Sequence, residues 1–149
     1  MDTQQITETM RAASPHMREL QVHFVQMGEG VAIAKVDYRD ELVGDPVTGV
    51  LHGGVVTTLL DIAAGMSVIS KLGKPTAVAT LDLRIDYLRP STVQEPLHAR
   101  VECYKLTRQV AFVRGVTYNH REDDPVASMA GTFMLDAGAV IRPKRAETD

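Results

Sequence analysis

The stretch over residues 51–61, LHGGVVTTLLD, opens the most apolar segment of the chain. From its fifth residue onward, apolar side chains recur at helical spacing and form one stripe made of Val55, Leu59, Ile62, Ala63, Met66 and Ile69. This pattern predicts a helix over residues 54–71, about 27 Å long at 1.5 Å per residue, with Gly73 and Pro75 ending it. A helix that is apolar on most of its circumference must be surrounded by other structure.

The segments on either side of this helix show the two-residue period of strands. Leu81, Leu83, Ile85 and Tyr87 alternate with polar residues and predict a half-buried strand over residues 80–87. Further strands are predicted over residues 22–27, 31–36, 97–104, 110–118 and 126–135, and the last four strands of the chain are expected to be joined by hairpins. A short amphipathic helix over residues 3–13, ended by Ser14 and Pro15, precedes them, and residues 38–49 form a loop.

This order of elements predicts an α+β fold in which one antiparallel sheet curls round a long central helix. The 149 residues are enough for one domain with its own core. We therefore expect an N-terminal helical segment over residues 1–21, the domain over residues 22–136 and a charged C-terminal tail over residues 137–149.

Composition excludes several classes of protein. A net charge of -3 argues against a surface that neutralises nucleic-acid phosphates. The single cysteine, Cys103, permits neither an internal disulfide nor a cysteine-rich zinc site. The first eighteen residues lack the pattern of a signal peptide, and the apolar stretch over residues 55–69 is shorter than the roughly twenty residues that span a bilayer. We expect a cytoplasmic protein that binds neither nucleic acid nor membrane.

Asp61 is unusual because it lies in the middle of the apolar helix, where an unpartnered carboxylate is costly to bury. Its neighbours on the same helical face are all small: Gly54, Thr57, Thr58, Ala64 and Gly65. Such a face leaves a notch that a substrate or another backbone can enter. The alternative is an aspartate bonded to threonine hydroxyls, or simply a solvated face of the helix.

His52, Gly53 and Gly54 stand at the predicted start of this helix. Two glycines there allow a ligand close to backbone N–H groups that have no intrahelical acceptor, and the helix dipole favours an oxyanion at this end. The alternative is that His52 only begins the helix and that the glycines only permit a tight bend.

Taken together, the string over residues 51–61, the strand over residues 80–87 and Leu88-Arg89-Pro90 resemble the hotdog-fold acyl-CoA thioesterases. The resemblance is to the branch of the phenylacetate pathway and of the Arthrobacter-type 4-hydroxybenzoyl-CoA enzyme, and it covers roughly residues 22–135. It implies a hotdog fold, a homodimer or homotetramer, and an active site at a dimer interface. The implied reaction is hydrolysis of a small aryl or short- to medium-chain acyl-CoA to the free acid and CoA.

The resemblance also implies roles for single residues. The backbone N–H of Gly53 would bind the thioester oxygen, and Asp61 of the facing protomer would attack the carbonyl carbon or activate the water that does. His52 would support the loop and the thioester, and Thr80 corresponds to the family's serine or threonine that places the water or the acid. The family's loop Asn or Gln is absent: Pro46 stands there, so either Asp45 takes that role with a one-residue shift or another group fills it. A second acid at that place would raise the pKa of one of the two carboxyls.

Coenzyme A would be bound by a further set of residues, namely Gly54, Tyr87, Arg89, Lys105 and Arg108. The alternative for each cation is a solvated surface charge, and the alternative for Tyr87 is simple packing. No separate cofactor is expected, since CoA belongs to the substrate. No metal is expected either, because the five histidines are scattered without ligand spacing.

Two other functions compete with hydrolysis. A hotdog dehydratase also pairs a histidine before the central helix with an acid on it, at a separation like that of His52 and Asp61, but its Pro-Gly before the helix is absent here. A non-catalytic acyl-CoA sensor has no need for Asp61.

Overall fold

The computed structural model of the protein describes residues 2–137, and its centre is one six-stranded antiparallel sheet. The strands of this sheet are β1 His23–Gly28, β2 Val31–Val36, β5 Val78–Tyr87, β6 Leu97–Leu106, β7 Val110–Tyr118 and β8 Ala127–Leu135. They lie in the order β1-β2-β6-β7-β8-β5. The predicted strands are therefore all present, with ends that differ by a few residues. The predicted tail lies outside the described residues apart from Ala137.

The long helix α3, Gly53–Leu72, packs against the concave face of this sheet, mainly on β2, β6 and β7. The sheet presents small side chains to it, and Ala32, Ala34, Ala99 and Ala111 are completely buried. Interruptions of the register in β1, β5 and β6 help the strands to bend, as β-bulges do. The predicted α+β architecture, a sheet wrapped round a central helix, is confirmed.

The pairing of β5 corrects the expectation of four strands joined by hairpins. β6, β7 and β8 do form a meander, but β5 pairs with β8 and not with β6. The connection over residues 88–96 passes β8 and β7 to reach the interior strand β6, and it contains Pro90 and Pro96, which cannot donate to a strand ladder. A two-residue period identifies a strand, but it does not identify the partner of that strand.

Several short elements complete the fold. The N-terminal helix α1, Thr3–Ala13, ends at Ser14 as predicted, and Ser14 then caps a second helix that was not predicted, α2, Pro15–Leu20. The predicted loop before α3 contains a two-stranded ribbon of β3, Val43–Asp45, and β4, Val50–Leu51. This ribbon leads directly into the start of α3.

The length of α3 also differs from expectation. It has 20 residues, and by length and hydropathy it is apolar enough to cross a membrane, with half of its most apolar window buried inside the protein. The argument that this apolar stretch is too short to span a bilayer therefore does not hold. Packing against the sheet accounts for the apolar residues of its buried half.

Candidate active site

The start of α3 is held by His52. The Nδ1 atom of His52 accepts a hydrogen bond of 2.8 Å from the N–H of Gly54. The backbone N–H of His52 donates to the carbonyl of Leu42. The backbone of Gly44 lies so close to His52 that a Cβ added to Gly44 would be 2.8 Å from His52 Cα. The N–H of Gly54 is thus occupied, whereas that of Gly53 has no acceptor among residues 2–137.

Tyr87, at the end of β5, ties this strand to the first turn of α3. Its hydroxyl donates to the carbonyl of Gly53 at 3.1 Å and lies 2.6 Å from the hydroxyl of Thr57. Gly53, Tyr87 and Arg89 line one cavity of about 400 Å³. The sequence predicted separate roles for Gly53 and Tyr87, the first at the thioester oxygen and the second in CoA binding. The link through Thr57 was missed, because it needs the tertiary contact between β5 and α3.

Asp61 faces β5 and meets Thr80 there. The hydroxyl of Thr80 donates to Asp61 Oδ1 at 2.7 Å. Asp61 is half-buried, so its carboxylate has one partner on the protein and access to solvent. The threonine that bonds the acid is therefore on a strand, rather than one of the threonines on its own helix.

A second cavity, of about 270 Å³, lies beside this pair. Gly65, one turn after Asp61, lines it, and a Cβ there would be 3.7 Å from the ring of Phe133. Met10 and Met17, from the two N-terminal helices, line its other side. The predicted notch beside Asp61 is thus present. Its cover of methionines has no signal in the sequence beyond the amphipathic pattern of α1.

The spacing between Gly53 and Asp61 limits what one chain can do. The two residues are eight positions apart on one helix, which separates them by about 12 Å along its axis. A reacting carbonyl must lie about 3 Å from both the nucleophile and the oxyanion donor. One copy of Gly53 and one copy of Asp61 in the same chain therefore cannot act on the same thioester.

The remaining predicted site residues are dispersed. Asp45 is exposed, and its carboxylate accepts from the N–H of Val47 and the hydroxyl of Thr48. These hydrogen bonds, first that of Val47, lower the pKa of Asp45, which is opposite to the direction expected for a carboxyl crowded by a second acid.

The predicted CoA-binding cations lie at two ends of the molecule. Arg89 already donates to the side chain and the backbone carbonyl of Asp124. Lys105 is exposed at the end of β6, and Arg108 lines a cavity of about 350 Å³ near Leu72, at the other end of α3 from Gly53. Within the described part of the chain, no three His, Cys, Asp or Glu side chains are grouped to hold a metal.

Comparison with known proteins decides the family. The family model of the thioesterase superfamily matches residues 48–125, which is more than half of the chain. The matched residues include Gly53, Asp61 and Thr80. The chain belongs to the thioesterase superfamily. The resemblance inferred from the string over residues 51–61 is thereby confirmed.

Sequence relatives of this thioesterase-superfamily chain carry related names. A putative esterase of Halobacterium salinarum is 42% identical over 66 residues, and this match covers 42% of the chain and 44% of that relative, less than half of its length. The medium/long-chain acyl-CoA thioesterase YigI of Escherichia coli is 32% identical over 107 residues, covering 63% of the chain and 68% of that protein. Both matches agree with membership of the thioesterase superfamily.

Solved structures agree with the hotdog fold of this thioesterase-superfamily chain. A Pseudomonas aeruginosa protein superimposes with a TM-score of 0.78 at 33% identity, covering 86% of the chain and 95% of that protein. A point mutant of the phenylacetic acid degradation protein PaaI from Thermus thermophilus gives a TM-score of 0.70 at 26% identity, covering 81% of the chain and 98% of that protein.

Proposed function

We propose that the protein is an acyl-CoA thioesterase whose active sites form between two protomers. The observation that carries the proposal is the Asp61–Thr80 pair at the edge of a cavity, with a hydrogen bond of 2.7 Å. It is supported by the superfamily match and by the name of the E. coli relative, which is a medium/long-chain acyl-CoA thioesterase. The acyl groups expected from the sequence are small aryl or short to medium chains.

The chemistry follows from the two separate groups. Asp61 either takes a proton from a water molecule, whose oxygen then bonds to the thioester carbon, or bonds to that carbon itself and is freed by water afterwards. In both routes the carbonyl oxygen becomes an oxyanion, and the free N–H of Gly53 is suited to bind it. The carbon–sulfur bond then breaks. In the first route the CoA sulfur takes the proton that Asp61 removed from water; in the second it leaves as a thiolate and takes the proton released when water cleaves the acyl–Asp61 anhydride. In both routes the products are the free acid and CoA.

Two features support a site shared between protomers. The distance of about 12 Å between Gly53 and Asp61 along α3 is too long for one thioester, so each must act with its counterpart on another chain. β5 is also an edge strand that exposes apolar side chains: Leu81 is 51% and Tyr87 54% exposed. An exposed apolar edge is suited to pairing with a second copy.

Complementation between two inactive variants tests this proposal. Gly53→Pro removes the N–H at the first helical position, where proline is tolerated, and the extended backbone of His52 suits a residue that precedes proline. Gly53→Ala keeps the N–H, and its Cβ makes ordinary contacts with Tyr87, so it is the matched control. We expect Gly53→Pro to lower kcat about 10²–10³-fold, and Gly53→Ala to be nearly unchanged.

Mixing the Gly53→Pro and Asp61→Asn proteins then distinguishes a site shared between two protomers from a site formed within one chain. In a mixed dimer one of the two sites holds both intact residues, so refolding equal amounts together should restore about a quarter of the native activity. CoA release from acyl-CoA esters is measured with a thiol-reactive dye, and buried Cys103 adds little background. Restored activity supports the shared site. No recovery in a mixture that contains heterodimers contradicts it, and a native chain that cleaves no ester contradicts the function itself.

A further inference from the structure

A large apolar cavity continues from the Asp61 pocket toward the C-terminal end of α3. It has a volume of about 610 Å³, within the roughly 300–1,000 Å³ range of ligand sites, and lies between α1, the β1–β2 turn and the second half of α3. It shares four lining residues with the Asp61 pocket, namely Met10, Met66, Ile69 and Thr76. The two cavities therefore adjoin, and together they outline a space that begins at the carboxylate.

The lining of this space suits an occupant without hydrogen-bonding groups. Ile6 and Met10 of α1 face Met27, Met66 and Ile69 across it. The two hydroxyl groups on its wall are already bonded to the protein: Ser70 Oγ accepts from the N–H of Gly30, and the Thr76 hydroxyl donates to the carbonyl of Lys74. The charged lining residues, Glu29 and Lys74, are exposed to solvent. Methionine side chains adapt to flexible apolar ligands.

We infer that this space, which we name the acyl channel, holds the alkyl chain of a medium- to long-chain acyl thioester beneath α1. Such a chain is longer than the small aryl or short- to medium-chain groups expected from the sequence. The inference rests on the proposed function, since it takes Asp61 as the group next to the thioester. Gly73, at the far end of the channel, follows Asp61 by twelve positions, which is about 18 Å along α3. At no more than about 1.5 Å per carbon–carbon bond, this length accepts a chain of roughly twelve carbons.

The inference also gives α1 a role beyond covering the core. α1 supplies the wall opposite α3, with Met10 at the junction of the two cavities and Ile6 only in the distal one. A bulky side chain in place of Met10 should block every alkyl chain that is too long for the Asp61 pocket alone. One at Ile6 should shorten the channel and spare chains of intermediate length.

Binding of non-hydrolysable S-alkyl-CoA thioethers tests the channel without catalysis. For the native chain we expect affinity to rise by up to about fourfold for each buried methylene, and by at least about 100-fold from S-butyl-CoA to S-dodecyl-CoA. Met10→Trp should lose this gain while binding S-butyl-CoA normally. Ile6→Trp should lose it only between S-octyl-CoA and S-dodecyl-CoA.

The controls separate blockage from damage to the fold. Ala12→Trp adds the same bulk to an exposed position of α1 and should bind every thioether as the native chain does. If Met10→Trp fails to bind S-butyl-CoA, Thr76→Trp replaces it in the test. This variant should block the channel from the segment before β5 and lose the gain in affinity with chain length. Equal affinity of the native chain for S-butyl-CoA and S-dodecyl-CoA overturns the channel, as does an Ala12→Trp protein that behaves like Met10→Trp.

The two proposals fail in different ways. Chain-length-dependent binding together with no ester hydrolysis leaves the channel standing and removes the thioesterase function. Hydrolysis of short esters with no gain for longer chains leaves the function standing and removes the channel.

Discussion

The two faces of α3 differ in how completely they are covered. The sealed face, formed by Val56, Leu59, Leu60, Ala63 and Ser67, has at most 3% of any residue exposed. The open face, formed by Thr58, Asp61, Ile62, Gly65 and Ile69, is half-buried throughout. Leu60 and Asp61 are neighbours in the chain and lie on different faces. The comparison teaches that one helix can form the core of the domain on one face and line a reaction site on the other.

Asp61→Asn provides the largest expected effect and probes the open face. We expect kcat to fall about 10²–10⁴-fold, since the amide can neither take a proton nor attack, while the free energy of unfolding changes by less than about 0.5 kcal/mol. Steady-state kinetics with an acyl-CoA and a thermal melt measure the two quantities. Asp123→Asn, at an exposed carboxylate in the β7–β8 turn, is the control. Unchanged turnover in Asp61→Asn would remove the carboxylate from the mechanism.

Leu60→Ala is the matching change on the sealed face. Leu60 is completely buried, so its truncation should lower the free energy of unfolding by about 2–5 kcal/mol. Well below the new melting temperature, kcat should stay within a few-fold of the native value. Denaturant unfolding and kinetics on the same sample check both statements. If Leu60→Ala loses activity as completely as Asp61→Asn while still folded, the two faces are not separate in function.

Thr80→Val has a smaller expected effect, because it removes only the hydrogen bond to Asp61. A bond to a charged acceptor contributes about 1.5–3 kcal/mol, so we expect kcat to fall by about 10- to 100-fold with KM little changed. Thr80→Ser keeps the hydroxyl and should recover most of the activity. A loss of equal size in Thr80→Ser would mean that the methyl group of Thr80, and not its hydroxyl, is what the site needs.

Sequence periodicity predicted α3 well but located its buried face only in part. The buried residues of the predicted stripe are Val55, Leu59, Ala63 and Met66. The predicted stripe included Ile62 and Ile69, which are only half-buried and line the Asp61 pocket. It omitted Ser67 and Val68, which are completely buried. Apolar residues surround most of this helix, and an apolar side chain fits a ligand cavity as well as a protein core. The pattern therefore cannot distinguish the two environments.

The candidate site was predictable where the reason for a residue is local. An acid on an apolar helix and glycines at a helix start are unusual wherever they occur, so Asp61 and Gly53 stood out without any tertiary information. The contacts of Arg89 with Asp124 and of Tyr87 with Thr57 join residues that are 30 or more positions apart. No spacing rule connects such pairs.

The sequence by itself determined the elements: a long apolar helix that starts at two glycines, six strands, and one acid in the middle of the helix. These follow from backbone periods of about 3.6 and 2, which are properties of neighbouring residues. Only the tertiary structure decided that β5 pairs with β8, that Thr80 reaches Asp61, and that α1 leaves a space above α3. Those outcomes depend on how distant segments pack together, and packing is set by the curvature of the whole sheet and the shapes of the side chains between the layers.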